Sequence, residues 1–239
     1  MDFNVITAKK FYPYQVDEQT LLKNKTQTIV AKKRLDAINK AIDNAKDVVI
    51  FDDGLQDRNI DYDLKIVCFK KNNWIGNGQL IPSGPLREKV ESLKNYDVVF
   101  LNGKNNSSIN IEEAIFKINP EIRIFNSNYE IKNLDKLDKN SNYLIFSGIG
   151  DPSSFKELLI ENNINVIKEK IFPDHYIYKK EDVKNIFEEA KKVNAKILTT
   201  EKDFVKLSDN ATGEINYLKI ELKIKEEQKF INFLNEKLN

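Results

Sequence analysis

The sequence predicts a mixed α/β protein built around a mostly parallel sheet. Short apolar runs rich in β-branched residues recur along the chain, and most are followed by polar stretches with helical periodicity. These runs are almost continuously apolar, as are the strands of a parallel sheet that helices cover on both faces. In such sheets, ligands bind beside the carboxyl ends of the strands.

The candidate strands share this apolar composition and lie at residues 48–51, 65–69, 98–101, 122–125, 143–147, 164–172, 196–200 and 215–224. The candidate helices have apolar residues at helical spacing and lie at residues 34–46, 86–95, 111–118, 153–162, 181–193 and 226–238. The stretch 130–142 is polar and contains no strong apolar run, so we expect a linker there. This predicts a core domain at residues 1–135 and a smaller C-terminal α/β domain at residues 136–239.

Composition excludes several classes of function. The chain has 239 residues, of which 38 are lysine or arginine and 37 are acidic, so its formal net charge is only +1 and gives no support for nucleic-acid binding. The single cysteine, Cys68, excludes an internal disulfide and a cysteine-based zinc site, and its apolar neighbours predict a core position. No run approaches the roughly 18 apolar residues of a membrane span, and no signal peptide is evident, so we expect an intracellular chain.

An apolar strand ending in carboxylates is the most informative run for chemistry. Asp52 and Asp53 follow the run 48–51, and Gly54 allows a sharp turn directly after them. Carboxylate oxygens at the end of a buried strand are suitable for a Mg²⁺-bound phosphate. Two alternatives remain open: a solvated turn, and a phosphatase that forms an aspartyl phosphate. The phosphatase normally needs two aspartates separated by one residue.

A loop rich in glycine and proline follows the second candidate strand. Residues 76–88 read Gly-Asn-Gly-Gln-Leu-Ile-Pro-Ser-Gly-Pro-Leu-Arg-Glu, a composition that predicts a shaped loop at the same edge of the sheet as Asp52. Pro85 is suited to begin the next helix, with Arg87 in its first turn. A purely structural connection is the alternative.

Together, the two runs resemble the lipid A 4′-kinase (tetraacyldisaccharide 4′-kinase) family in order and spacing. The strand end 52–56 is similar to the family's Asp-Asp-Gly-Phe-Gln, and the loop 76–88 is nearly complete. Asn102 also resembles a family position. Further matches lie in Asp17-Glu18, in Ser147-Gly148-Ile149-Gly150-Asp151-Pro152, in Phe172-Pro173-Asp174-His175 and in Thr200-Glu201-Lys202-Asp203. The resemblance extends from about residue 15 to the C-terminus.

The resemblance implies a kinase with a P-loop-kinase-like, mostly parallel sheet and a second, smaller α/β domain. Such enzymes transfer the γ-phosphate of ATP, with Mg²⁺, to the 4′-hydroxyl of a tetraacyl glucosamine disaccharide 1-phosphate. The implied location is the cytoplasm or the cytoplasmic face of the bacterial inner membrane, and the lipid substrate brings the enzyme to the membrane surface.

The resemblance also assigns roles to individual residues. Asp52, Asp53 and Glu18 are implied to hold Mg²⁺ or its waters, with Asp53 also catalytic. Asp17 is implied to accept the proton of the attacking hydroxyl, supported by His175, the chain's only histidine. Arg87 and Asn102 are implied to contact ATP. We therefore expect the aspartates and His175 to face one groove.

The sequence departs from the family pattern in one large respect. It contains no Gly-x₄-Gly-Lys-Ser/Thr phosphate-binding loop, which in the family precedes the Asp-Glu segment. We therefore expect an incomplete sheet and weak MgATP binding by this chain alone, with a truncated gene model, a separate N-terminal fragment or a decayed relative as explanations. Smaller departures are Val16, Gln19, Asp57 and Tyr176, where the family has glycine, proline, histidine and histidine.

Two alternatives to the kinase remain. One is a non-catalytic binding or assembly module that keeps the family's fold. The other is a Mg²⁺-dependent phosphohydrolase that uses Asp52. An ATP-dependent phosphorylation assay distinguishes all three.

Overall fold

The computed structural model describes residues 3–12, 16–104, 110–207 and 213–238, with the side chains of Val16 and Asp17 outside the description. Its contacts divide the chain into two compact units. Unit I comprises Asp2–Gly54 and Ile131–Ile220, and unit II comprises Leu55–Glu130 and Glu221–Asn239. The domain boundary at residue 135 stays a prediction.

The strands in chain order are β1 (Val5–Lys10), β2 (Thr28–Ala31), β3 (Val48–Asp52), β4 (Ile66–Lys70), β5 (Val98–Asn102), β6 (Arg123–Ile131), β7 (Asn142–Ser147), β8 (Asn165–Ile171), β9 (Lys196–Thr200), β10 (Ile215–Leu218) and β11 (Ile220–Ile224). The α-helices are α1 (Val16–Lys25), α2 (Arg34–Asp43), α3 (Ile111–Ile118), α4 (Pro152–Glu161), α5 (Lys180–Lys192), α6 (Glu201–Phe204) and α7 (Glu227–Leu238). Short 3₁₀ turns lie at Val90–Asn95 and Leu134–Lys136.

The strands form three sheets, ordered β2-β1-β3, β10-β9-β7-β8 and β11-β6-β5-β4. Strand β1 is parallel to β2 and β3, and β5 is parallel to β4 and β6. In the second sheet, β7 is parallel to β8 and β9, and β9 is parallel to β10. This confirms the predicted mixed α/β class with mostly parallel sheets. None of the helices in the described ranges is both long enough and apolar enough to cross a bilayer.

Alternate residues of β7 enter different cores of unit I. Tyr143 and Ile145 pack in one core with Phe155 of α4. Leu144 and Phe146 pack in another with residues of α5, among them Ile186 and Ala190. Because successive strand side chains point to opposite faces, a sheet covered on both sides requires a continuous apolar run, and this explains the composition of 143–147.

The sheet β2-β1-β3 packs against α2 through a core of small side chains. Ala8, Ala31 and Ala37 are buried there and contact Val49 and Phe51. The alanines allow α2 to approach the sheet closely. The charged groups described below lie on the other face of β1 and β3, away from α2.

Unit II repeats the two-sided arrangement around β5. Val99 and Leu101 pack with Ile115 of α3, whereas Val98 and Phe100 pack on the α7 side. On the α7 side, Phe230 makes edge-to-face contacts with Phe100 and Phe125, with ring centroids 5.0 Å apart in each pair. Cys68, on β4 at the end of this sheet, is exposed, so its predicted core position was wrong. Strand β4 is an edge strand, and the apolar neighbours of Cys68 in the sequence do not distinguish an edge strand from a buried one.

Two predicted elements differ from the structure. The predicted helix 86–95 is only the 3₁₀ turn Val90–Asn95, because Leu86 is engaged in closing the preceding loop through backbone bonds with Gln79 and Ile81. The predicted strand 215–224 is two strands in different sheets. The chain breaks at Lys219, whose N–H donates to the side chain of Asn133 rather than to a neighbouring strand.

Candidate functional site

A buried lysine joins two of the predicted metal-site carboxylates in unit I. Lys9 on β1 lies opposite Asp52 on the parallel strand β3, so the two side chains share a face of the sheet. The Lys9 Nζ atom is 2.5 Å from Asp52 Oδ2 and 2.7 Å from Glu18 Oε2 on α1. Only 5% of the Lys9 side chain is exposed. One ammonium group therefore bridges a strand end and a helix.

A second lysine contacts the other oxygen of Glu18. The Lys202 Nζ atom is 3.1 Å from Glu18 Oε1 and 3.7 Å from Asp174 Oδ1. His175 Nε2 lies 3.8 Å from Glu18 Oε1 and 3.8 Å from Asp174 Oδ2. We call these residues the charge cluster, which comprises Lys9, Glu18, Asp52, Asp174, His175 and Lys202.

The pairings keep Lys9 and Glu18 charged. Burial alone lowers the pKa of Lys9, but bonds to Asp52 and Glu18 outweigh it and raise the pKa above its ordinary value. Burial alone raises the pKa of Glu18, but bonds from Lys9 and Lys202 outweigh it and hold the pKa below its ordinary value. At neutral pH the cluster therefore contains full charges of both signs.

Close backbone approaches position the loop that carries His175. His175 has a φ of 58°, and its N–H donates to Gly148 O (3.2 Å) and Asp174 Oδ1 (2.9 Å). A Cβ on Gly148 would lie 3.1 Å from Pro173 O, and one on Gly150 would lie 3.2 Å from Asp174 Oδ2. Glycine thus lets the loop after β7 contact the loop after β8.

The buried carboxylate of Asp203 also holds the loop after β7 in place. Its Oδ2 atom accepts hydrogen bonds from Gly148 N (3.0 Å) and Thr200 Oγ1 (2.7 Å), and its Oδ1 atom lies 2.7 Å from Lys206 Nζ. Burial and the nearby Asp203 charge raise the pKa of Tyr178 above its ordinary value. Asp203 therefore connects the glycine run 148–150 to the Thr-x-Lys-Asp run 200–203.

Asp52, Glu18 and His175 are thus brought together, whereas two other predicted residues are not placed with them. The side chain of Asp17 lies outside the described residues. Asp53 is exposed with a φ of 55°, a conformation that aspartate tolerates, and its backbone carbonyl accepts a hydrogen bond from Arg34. The roles assigned to Asp17 and Asp53 remain predictions.

The predicted ATP contacts belong to unit II. Arg87 is exposed, with Nη1 3.4 Å from Gln56 Oε1. Asn102 ends β5, with Oδ1 3.4 Å from Ser127 Oγ. Both lie in the segments that sequence reasoning identified, and their roles stay predictions.

The loop 76–88 is shaped by glycines with positive φ, as its composition predicted, and by the side chain of Asn77. It follows β4, which is in a different sheet from β3, so its predicted place at the same edge of the sheet as Asp52 was wrong. Asn77 Oδ1 accepts from Gln79 N (3.1 Å), and Nδ2 donates to Ser83 O (2.8 Å). A Cβ on Gly84 would lie 2.2 Å from Asn77 Oδ1, so only glycine fits there.

Sequence reasoning missed Lys9, the residue at the centre of the cluster. Strand β1 was not predicted, because its uncharged run is only four residues long and is followed by two lysines. The signal that could have identified this strand was the short run Val5-Ile6-Thr7-Ala8. Ligands bind beside the carboxyl ends of such strands, and Lys9 follows this run directly.

The donor chemistry of the cluster fits a hard divalent cation. Among the residues that the structure describes, no group of three or more His, Cys, Asp or Glu side chains is arranged to hold a metal ion. Mg²⁺ in nucleotide sites commonly takes only one or two protein carboxylates, with phosphates and waters completing its shell. Asp52 and Glu18, already drawn to one cationic group, form a donor pair of that size.

Two departures from the family pattern have structural partners of their own. Gln19 is buried, and its Nε2 donates to the Tyr12 carbonyl at 3.1 Å. The Tyr176 hydroxyl lies 3.1 Å from Asp182 Oδ2.

A mostly parallel α/β fold with paired carboxylates and lysines at its strand ends defines a class of proteins that bind charged ligands at that edge. The family model described as Tetraacyldisaccharide-1-P 4′-kinase matches residues 5–239, so the chain belongs to this family of lipid A biosynthesis kinases. The resemblance predicted from the motifs is therefore confirmed. Members are transferases that use ATP.

Individual relatives agree with the family assignment. A tetraacyldisaccharide 4′-kinase of Pelagibacter ubique (strain HTCC1062) is 49% identical over 237 residues, which is 98% of this chain and 76% of the relative. Proteins of the same name from Rickettsia bellii (strain OSU 85-389) and Rickettsia akari (strain Hartford) are 38% and 35% identical. Those alignments cover 82% and 98% of this chain, and 60% and 71% of the relatives.

Replacing Asp203 should destabilise the protein. We expect Asp203→Asn to lower the free energy of unfolding by about 3 kcal/mol, because it leaves the Lys206 ammonium without its buried counter-charge. Urea unfolding followed by circular dichroism measures this. Asp43→Asn, at an exposed helix end, is the matched control and should change the free energy by less than about 0.5 kcal/mol. Equal effects of the two changes would contradict the anchoring role.

The pairing of Glu18 should appear in the pH dependence of stability. Because its pKa is depressed in the folded state, Glu18 stabilises the fold above its ordinary value of 4.5, and this contribution is lost as the pH falls through the lower folded-state pKa. The unfolding free-energy difference between wild type and Glu18→Gln should therefore be largest near neutral pH and shrink below pH 4.5. The exposed Glu181→Gln should show no such change, and a constant difference for Glu18→Gln would disprove the pairing.

Proposed function

We propose that this chain carries the carboxylate and proton-accepting part of an ATP-dependent 4′-kinase acting on a tetraacyl disaccharide 1-phosphate lipid. The observation that carries the proposal is the continuous contact from Asp52 through Lys9 and Glu18 to His175, in a member of the kinase family. Phosphoryl transfer needs neutralised phosphate charge and a positioned acceptor for the hydroxyl proton, and these groups are of the right types.

In this proposal, Asp52 and Glu18, with Asp53, are the residues that hold Mg²⁺. When bound, Mg²⁺ neutralises charge on the phosphates. The oxygens of Asp52 and Glu18 are oriented by Lys9, so they are already turned toward a common cation. Asp53 follows in sequence and offers an exposed carboxylate at the same strand end.

His175 is proposed to accept the proton of the attacking hydroxyl, together with Asp17. The carboxylates of Glu18 and Asp174 lie 3.8 Å from Nε2, where they stabilise the positive charge that a proton-accepting imidazole acquires. The backbone N–H of His175 donates to the Gly148 carbonyl and to Asp174 Oδ1, and these two bonds hold the residue in place.

Arg87 and Asn102 are proposed to contact ATP. The exposed guanidinium of Arg87 is a bidentate donor suited to phosphate oxygens. Asn102 presents an amide at the carboxyl end of a parallel strand, the edge where nucleotides bind in such sheets.

The main phosphate clamp is proposed to come from residues other than those in this chain. The sequence has no P-loop motif, so we propose that efficient phosphoryl transfer requires an added N-terminal P-loop segment, encoded with it or separately. The acyl chains of the proposed substrate would place the reaction at the cytoplasmic face of the bacterial inner membrane.

An ATP-dependent assay tests the proposed function directly. The chain alone, and the chain fused to a P-loop segment of the family ahead of residue 1, are incubated with [γ-³²P]ATP, Mg²⁺ and a tetraacyl disaccharide 1-phosphate. We expect labelled lipid from the fusion and little from the chain alone. Absence of labelled lipid in both cases would favour the non-catalytic binding module. Release of inorganic phosphate from the lipid substrate when ATP is omitted would favour the phosphohydrolase.

Single substitutions in the fusion should separate the proposed roles from fold stability. We expect His175→Ala and Asp52→Asn each to lower turnover by roughly a hundredfold or more, because proton acceptance and metal binding each contribute that much. Asp43→Asn is the matched control for Asp52→Asn and should retain wild-type turnover. Near-normal rates in both site variants would refute the assignment.

A further inference from the structure

The position of Lys9 gives it a relation to metal binding that the family motifs do not describe. Lys9 projects from the same face of the small sheet as Asp52 and is nearly fully buried. The charged groups facing it are Asp52 from β3 and Glu18 from α1, and both contact its Nζ atom within 2.7 Å. Its ammonium thus lies between the two carboxylates.

This is the position that a divalent cation shared by Asp52 and Glu18 would need. A metal ion and an ammonium group both require carboxylate oxygens, and two positive groups cannot occupy the same small space. Glu18 cannot simply offer its other oxygen, because Lys202 lies 3.1 Å from Oε1. Any cation that binds Glu18 therefore competes with a lysine ammonium, and Lys9 is the lysine that also contacts Asp52.

We propose that Lys9 is a positioning residue that competes with the divalent cation for Asp52 and Glu18 and thereby weakens metal binding by the nucleotide-free chain. The inference rests on the proposed metal role of these two carboxylates. In the absence of metal, Lys9 balances their charges and keeps them turned toward each other. Tight binding then requires additional negative charge, which the phosphates of a nucleotide supply.

Mn²⁺ binding without nucleotide tests the inference. Free Mn²⁺ is titrated with the 239-residue chain and followed by electron paramagnetic resonance, for wild type, Lys9→Met, Lys9→Arg and Lys10→Met. We expect Lys9→Met to bind Mn²⁺ about tenfold more tightly or better, because a competing charge within 4 Å is removed. Lys9→Arg retains the charge and should bind close to wild type.

Lys10→Met is the matched control, because Lys10 is the same residue type on the next strand position and points to the opposite face. It should leave Mn²⁺ affinity unchanged. In the double variant Lys9→Met with Asp52→Asn, the gain should disappear, which locates the tighter binding at these carboxylates.

Thermal unfolding supplies a second measurement if Lys9→Met is poorly stable. Without metal, the variant should unfold at a lower temperature than wild type, and Mn²⁺ should raise its Tm by more than that of wild type. Equal or weaker Mn²⁺ binding by Lys9→Met, an equal Tm increase, or no Mn²⁺ binding by any variant would overturn the inference. The proposed kinase activity is judged separately, by labelled lipid in the presence of MgATP.

Discussion

Charge pairing around Glu18 is the constraint on which the arrangement of the candidate site depends. The carboxylate receives Lys9 on one oxygen and Lys202 on the other, so it connects strand β1 and helix α6 through helix α1. A partly buried charge is tolerated only when it is paired and hydrogen-bonded. The position of α1 is therefore fixed by ion pairs to strand β1 and to helix α6, which directly follows β9.

Asp203 stabilises the loops through similar hydrogen bonds and charge pairing, but it is not a member of the charge cluster. It satisfies the Gly148 N–H and the Thr200 hydroxyl with one carboxylate, and Lys206 neutralises it. The Gly148 carbonyl then accepts the N–H of His175. The two carboxylates thus have different roles: the buried Asp203 fixes the backbone, and the partly exposed Glu18 contacts the groups that we assign to chemistry.

The parts of the fold that sequence reasoning predicted are those where one physical rule dominates. Strand β7 follows from its continuous apolar run and helix α3 from apolar periodicity, and the place of Asp52 at the end of β3 follows from the apolar run 48–51. Strand β1 was missed because its last two residues are lysines, one of them buried by ion pairing that no local pattern reveals. The break at Lys219 was missed because Asn133, distant in sequence, supplies the bond that separates β10 from β11.

The ion pairs of the buried Lys9 also bear on whether the chain is an enzyme or a non-catalytic module. Replacing a buried ion pair with well-packed apolar residues is often neutral or stabilising, so stability alone does not require Lys9, Asp52 and Glu18 to be charged. A module that kept only the fold would have no need of this arrangement at the carboxyl end of a sheet. Charged residues that cost desolvation and face a strand-end edge are better explained by a ligand that needs them. This favours a ligand-binding protein, such as the proposed kinase, over a module that serves assembly alone.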